Sequence, residues 1–322
     1  MSSELQYYLC GGAGINIGMA LHRQTNTKAN KDANYLGIDS SDRNDSEGLF
    51  PILRMEGTSG SGKVKATNYP QMDPFLSEVL TKHKPKRFNV IACSDSGGTG
   101  SLMATLLARK LIQAGHIVFM MLISDHTSQI EFANSVSTRR SFAAQTAKDQ
   151  LDLPIVYLDV ANTPDLTRGE VNSKIVNQLD LLSLFATESN EEVDYQDLMS
   201  MVRYSKTCNV APALSKISFH DEKTAREYKG KPPVAVCSLF KDRDAVVPLF
   251  EGCVYRATGV YNPQNNPPKE VKELHMIFDH GEAIEELKQE MEALNDRKVV
   301  TTNKYAEVEQ LGNGADDNGV FL

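Results

Sequence analysis

Along the first half of the chain, short apolar runs alternate with segments whose apolar residues recur every three to four positions. The runs are QYYLC (6–10), YLGID (35–39), FNVIAC (88–93), IVFMMLIS (117–124) and PIVYLDV (154–160). Each is nearly continuous in apolar residues and bounded by turn-forming or polar ones, the pattern of a strand buried on both faces. Between them, 15–23, 73–83, 100–114 and 129–150 carry helical spacing. Such alternation implies crossover connections, hence an α/β fold with a Rossmann-like, mostly parallel sheet and helices on both faces. Ligands of such sheets sit outside the carboxyl ends of the strands.

The pattern changes after residue 160. A turn-rich loop, ANTPDLTRG (161–169), leads into a long central helix at 169–188, where Val171, Ile175, Val176, Leu179, Leu182 and Phe185 follow helical spacing. Another helix begins within VDYQDLMSMVRY (193–204). VAVCSLF (234–240), CVYRATGV (253–260) and ELHMIFD (273–279) read as strands of a smaller sheet, and 281–298 as one long closing helix. Residues 299–322 have few apolar positions and read as an extended acidic tail. The expected division is a nucleotide-binding domain at 1–168, the linking helix at 169–188, a smaller α+β domain at 189–298 and the tail at 299–322.

Composition narrows the function classes. The chain has 322 residues, enough for a sizeable core, with 41% hydrophobic and 24% charged residues. A net charge of −8 argues against a nucleic-acid binder that works by bulk electrostatics, and no direct nucleic-acid site is evident. Cysteines at 10, 93, 208, 237 and 253 include no C-x-x-C pair and read as reduced residues of a cytoplasmic protein. There is neither a signal-peptide pattern nor an apolar run of the ~18 residues that a membrane-spanning helix needs. The seven histidines show no metal-ligand spacing, so no protein-held metal is expected.

Three glycine-rich stretches carry the candidate chemistry. GGAGINIG (11–18) follows the first strand and opens the first helix, aiming backbone N–H groups at a possible phosphate. Its Gly12, Ala13 and Gly14, with Asp39 at the end of the next strand, also fit the start of a dinucleotide fingerprint, although Gly18 comes one residue late for it. A second loop, Ser96-Gly97-Gly98-Thr99-Gly100-Ser101, again stands between strand and helix. A dinucleotide fold has no need of it, whereas two helix N-termini at one crevice suit a polyphosphate. GTSGSGKV (57–64) has the spacing of a P-loop but puts Val64 where a Mg²⁺-binding hydroxyl belongs, and Pro70 and Pro74 oppose a helix starting on it.

Taken together, these loops resemble those of the tubulin/FtsZ GTPases. The family's G-G-G-T-G-[ST]-G aligns with Ser96 to Leu102, departing at both ends, and its first loop aligns with Gly11 to Gly18, placing Asn16 against the nucleotide. The resemblance implies binding of GTP and GDP with Mg²⁺. It makes 57–63 the loop that senses the terminal phosphate through Gly60, Gly62 and Lys63; Lys63 also reads as a surface lysine. It places ribose and guanine at Asn162 to Asp165 and at Arg168, Glu170 and Asn172. Arg168 stands where a stacking aromatic would be, and Asn172 also reads as a helix cap.

The family's catalytic N-x-D-x-x-[DE] aligns with Glu192, Asp194 and Asp197, Glu192 replacing the Asn. Acids three apart share one face of a first helical turn, where they also complement the helix dipole. By resemblance they act on the nucleotide of the neighbouring subunit, so that hydrolysis requires assembly. The ending, GADDNGVFL, is most similar to that of phage-encoded tubulins of the PhuZ type. It implies Asp316 and Asp317 pairing with bases on the next subunit and Phe321 or Leu322 as an apolar anchor; the same residues also read as a solvated tail. The expected activity is that of a GTP-dependent filament in an infected bacterial cell, its partner itself, with phage DNA or capsid as indirect cargo. A non-polymerising nucleotide-binding regulator and a Rossmann oxidoreductase are the alternatives.

Overall fold

A computed structural model of the chain describes residues 4–312 except 64, 149, 187–188 and 263–271. The first half alternates as the apolar pattern predicts: β1 (Leu5–Cys10), α1 (Gly11–Gln24), the single turn α2 (Lys28–Lys31), β2 (Asn34–Asp39), β3 (Ile52–Arg54), α3 (Tyr69–Lys82), β4 (Phe88–Ser94), α4 (Thr99–Gln113), β5 (Ile117–Asp125), α5 (Gln129–Gln145), β6 (Ile155–Asn162) and α6 (Arg168–Ser183). The second half follows as α7 (Tyr195–Val202), α8 (Tyr204–Thr207), β7 (Leu214–Asp221), α9 (Glu222–Glu227), β8 (Ala235–Phe240), β9 (Tyr255–Val260), β10 (Glu273–Asp279) and α10 (His280–Gly312).

The ten strands among the described residues form one sheet in the order β3-β2-β1-β4-β5-β6-β7-β10-β8-β9. Pairing is parallel from β3 through β7, antiparallel on both sides of β10, and parallel again between β8 and β9. The C-terminal strands therefore extend the first sheet through the β6–β7 pair instead of forming the separate smaller sheet expected. β7 was not anticipated, because Ser215, Lys216 and Ser218 interrupt its apolar run.

The two-residue period of the strands divides the core. Tyr7, Leu9, Val90, Ala92, Phe119 and Met121 pack with α1, α6 and α7 on one face. Their neighbours Tyr8, Cys10, Ile91, Cys93, Val118 and Met120 pack with α3 and α4 on the other. Successive side chains of a strand point to opposite faces, so a sheet covered on both sides needs apolar residues at every position, as these runs supply.

Helix boundaries shift where caps decide them. α3 starts at Tyr69, ahead of the expected 73, because Pro70 sits in the first turn, where a missing N–H costs nothing; Pro74 lies inside the helix. α10 continues to Gly312, so 299–312 are helical where an extended tail was expected, and residues 313–322, with Asp316, Asp317, Phe321 and Leu322, lie outside the described residues.

A buried carboxylate ties α6 to the turn after α1. Asp180 is 1% exposed and accepts hydrogen bonds from the Thr25 hydroxyl, the Asn26 N–H at 3.1 Å and Asn30 Nδ2 at 2.8 Å. Asp180→Ala would strand these donors in the interior, and a loss of about 3 kcal/mol is expected in urea unfolding, from donors that lose a charged partner.

Candidate functional site

At the carboxyl ends of β1 and β4 the two glycine-rich loops touch. A Cβ on Gly100 would lie 2.9 Å from the Cys10 carbonyl oxygen and 3.1 Å from Gly11 Cα, so only glycine lets the backbones meet at this distance. The 57–63 loop closes over the second of them. A Cβ on Gly98 would lie 2.2 Å from Ser61 Oγ and 2.9 Å from the Lys63 carbonyl carbon. Thr99 N–H donates to Ser61 Oγ at 3.1 Å, and Asn134 Nδ2 donates to the carbonyls of Lys63 at 2.9 Å and Ser96 at 3.2 Å. The stretch that resembled a P-loop is thus a cover for the second loop; its Val64 lies outside the described residues. Gly60 and Gly62 take positive φ, and Gly60 is held by Ser40 and Asn68. Lys63, also at positive φ, pairs with Glu131, so its ammonium is engaged at the rim.

Beside these loops opens a cleft of about 300 Å³ that gathers six of the expected residues: Ala13, Asn16, Ser96, Asn162, Arg168 and Asn172. They come from α1, the loop after β4, the end of β6 and the first turns of α6, and are brought together by the parallel sheet. The helix-cap reading of Asn172 is overturned: Thr167 is the N-cap of α6, forming a capping box with Glu170, and Asn172 faces the cleft. Glu170 is spent on that cap. Among the described residues the side-chain amides of Asn16 and Asn172 have no hydrogen-bond partner, leaving donors and acceptors for a ligand.

Several expected residues stand elsewhere. Asp39 is 4% exposed and does not line the cleft. Its carboxylate accepts from Ser40 N–H at 2.7 Å, Ser41 N–H at 3.2 Å and Asn44 Nδ2 at 2.6 Å, and Asn44 lies over Gly12. Asp39 thus shapes the loop above the first glycines. Gly14 packs α1 onto the sheet, where a Cβ would lie 2.5 Å from the Ala92 carbonyl oxygen. The Ser101 hydroxyl is turned back onto the Gly97 and Gly98 carbonyls, and buried Thr99 Oγ1 has no partner among the described residues.

The cleft also contains two acids that the sequence did not single out. Asp125 ends β5 and accepts from Asn162 Nδ2 at 2.9 Å. Partial burial pushes its carboxyl up, but hydrogen bonds from Thr127 and Asn162 and the Lys63 charge outweigh this and hold it below the usual carboxylate range. Glu131 joins Ser128 at the start of α5 to Lys63 of the covering loop. The signal for both was available in DHTSQIE, a strand end followed by a Ser N-cap with Glu three residues on.

Asp194 and Asp197 are far from this cleft. Asp194 Oδ1 accepts from Asp197 N–H at 2.9 Å and Asp197 Oδ2 from Asp194 N–H at 3.0 Å, a capping box for α7. Tyr255 O–H donates to Asp197 Oδ1 at 3.3 Å. Between them, the Tyr195 ring packs on Phe88, the first residue of β4, whereas the second glycine-rich loop follows its last residue. The acids and the cleft are therefore separated by the length of a seven-residue strand, about 20 Å at ~3.3 Å per residue. Glu192, where the resemblance wanted Asn, pairs with Arg243 at 2.7 Å.

No family model matches the chain. Its sequence is 24% identical over 280 residues to the phage tubulin-like protein of Pseudomonas phage PhiPA3, covering 86% of this chain and 84% of that protein. Its fold superimposes on the solved structure of phage tubulin PhuZ with GDP at a TM-score of 0.81 and 18% identity, with 99% of both chains covered. A PhuZ201 filament subunit matches at 0.80 and 18%, again over 99% of both chains. The resemblance first carried by the glycine-rich loops is thus to the tubulin/FtsZ superfamily in its phage-tubulin form, and it extends over the whole fold and 86% of the sequence.

Proposed function

We propose that this chain binds GTP in the cleft beside its glycine-rich loops, polymerises head to tail, and hydrolyses GTP where one subunit's Asp194 and Asp197 reach the nucleotide of the next. The observation that supports this reading is that the cleft opens at the carboxyl end of β4 while the turn carrying the two acids packs beside its first residue, Phe88. A stack of subunits along the strand direction brings the acids of one chain over the cleft of another, while a lone chain keeps them about 20 Å apart. Similarity to a phage tubulin solved with GDP and to a filament subunit supports the same reading.

In this reading the phosphates lie beside the glycine-rich loops, which reach the cleft at Ala13 and Ser96, and near the N-terminus of α4, whose Thr99 N–H must first be released from Ser61 Oγ of the covering loop. Asn16 and Asn172 offer free amides to ribose and guanine, and the Arg168 guanidinium offers a plane on which the base stacks. Mg²⁺ would come with the nucleotide and neutralise charge on its phosphates; the described residues contain no group of three or more His, Cys, Asp or Glu side chains placed to hold a metal ion. Asp197 orients the attacking water. The water oxygen bonds to the γ-phosphorus as the bridge to the β-phosphate breaks, and Asp194 assists in taking up the proton.

The C-terminal residues Asp316, Asp317, Phe321 and Leu322 are proposed to contact the next subunit through charge and an apolar anchor. Positioning of phage DNA or capsids in an infected cell is the role proposed for the filament. The described helices include none long and apolar enough to cross a membrane. The oxidoreductase reading loses its ribose-binding acid, since Asp39 is committed to Ser40, Ser41 and Asn44.

Sedimentation tests the proposal. Polymer is expected to pellet with GTP and Mg²⁺ and to remain in the supernatant with GDP or NAD⁺. Equal pelleting with all three nucleotides, or with none, would overturn it.

A further inference from the structure

A buried guanidinium joins the second glycine-rich loop to the C-terminal helix. Arg139 of α5 is 3% exposed. Its Nε donates to Asp95 Oδ2 at 3.1 Å, its Nη1 to Glu290 Oε1 of α10 at 3.0 Å, and its Nη2 to Asp159 Oδ2 of β6 at 3.3 Å and to the Ser124 hydroxyl. Asp95 is the residue immediately before Ser96. Its Oδ2 also accepts from Ser124 Oγ at 3.0 Å and Ser135 Oγ at 2.8 Å, and its backbone carbonyl from Thr138 Oγ1 at 2.7 Å. The start of the glycine-rich loop is therefore held by side chains of β5 and α5 together with the backbone bond from Asp95 N–H to the Ile123 carbonyl, and the cation that binds the Asp95 carboxylate is shared with α10.

This arrangement is poorly explained as a stability device. Among the described residues, Asp95 Oδ1 and Glu290 Oε2 find no hydrogen-bond partner, although both are buried. Burial, which the Arg139 charge only partly offsets, together with Asp95, Glu286 and Asp159 pushes the Glu290 carboxyl up to about 7. Buried ion pairs that are only partly satisfied add little to stability compared with apolar packing. What the cluster does supply is a stiff connection between residues 195 positions apart in sequence, one end at the phosphate-facing loop and the other on the helix that leads toward the C-terminus.

We propose that Asp95, Arg139 and Glu290 act as positioning residues that couple nucleotide binding in the cleft to the C-terminal helix α10. Coupling is reciprocal: if the hold of α10 on Arg139 favours the binding-competent loop, an occupied cleft must favour the docked helix by the same factor. This inference rests on the proposed nucleotide site, and the experiment separates the two.

The test measures affinity for a fluorescent N-methylanthraniloyl-GDP, with the full chain in its unassembled form. Native protein that fails to bind the probe sinks the nucleotide site itself. Given native binding, Glu290→Met, which keeps length and removes the acceptor, is expected to weaken it about tenfold, within the usual range of site-to-site coupling. Glu290→Gln still accepts from Arg139 and should recover most of the affinity. Glu285→Gln, on an exposed part of the same helix, should bind as native. Hydrogen exchange in 284–297 should slow when GDP is added to the native chain and not to Glu290→Met. A purely structural role lowers the melting temperature of Glu290→Met while leaving its affinity and the GDP-dependent exchange native, and that result would overturn the coupling.

Discussion

Asp197→Asn is expected to lower GTP turnover by about 10²- to 10⁴-fold, the span associated with loss of a positioned acid–base group. Affinity for GDP and the ability to pellet with GTP should be retained. Asparagine is chosen because its side-chain oxygen still accepts from Asp194 N–H, at present 3.0 Å from Asp197 Oδ2, so the capping box of α7 survives. Asp197→Ala, by contrast, also removes the N3 half of that capping box, leaving Asp194 N–H without its acceptor. The prediction thus separates two readings of one pair of acids. If Asp194 and Asp197 serve only to start α7, the asparagine variant turns over GTP at the native rate. A filament that persists because it cannot hydrolyse its nucleotide would appear as pelleting that outlasts that of the native protein.

Gly100→Ala is expected to weaken nucleotide binding by more than about 100-fold, roughly 2.7 kcal/mol, while leaving the chain folded. The added methyl would sit 2.9 Å from the Cys10 carbonyl oxygen and 3.1 Å from Gly11 Cα, and backbone on both sides leaves no flexible side chain to yield. The two glycine-rich loops must then separate. Gly98→Ala should act in the same direction by a different route, pushing Ser61 and the Lys63 backbone away and lifting the cover from the second loop. Circular dichroism with the Gly100 variant should report native helix content; a titration showing native affinity would mean that contact between the loops is not what forms the site.

Much of this was legible in the chain. Near-continuous apolar runs such as IVFMMLIS identify central parallel strands because burial on both faces removes the polar alternation of a half-exposed strand. Glycines at the ends of two such runs locate the end of the sheet at which the cleft opens. Less legible were features that depend on partners distant in sequence. β7 reads as polar because Lys216 finds Asp159 and Glu286 only in the folded chain. Arg139 looks like a surface residue of a helix, yet three carboxylates from β6, α10 and the loop after β4 bury it. Asp39 has the sequence position of a ribose ligand, but the 40–44 loop folds back and claims its carboxylate. Asn172 looked like a cap until Thr167 filled that place. In each case the side chain's type was informative and its partner was not.

In the proposed mechanism the hydrolytic site is assembled from two chains, the cleft of one and the acids of another. The direct measurement is GTP turnover per chain as a function of protein concentration, with polymer monitored by light scattering in the same samples. Turnover that vanishes below a threshold and rises together with scattering above it is the predicted result. A rate per chain that stays constant on dilution far below that threshold would contradict the account.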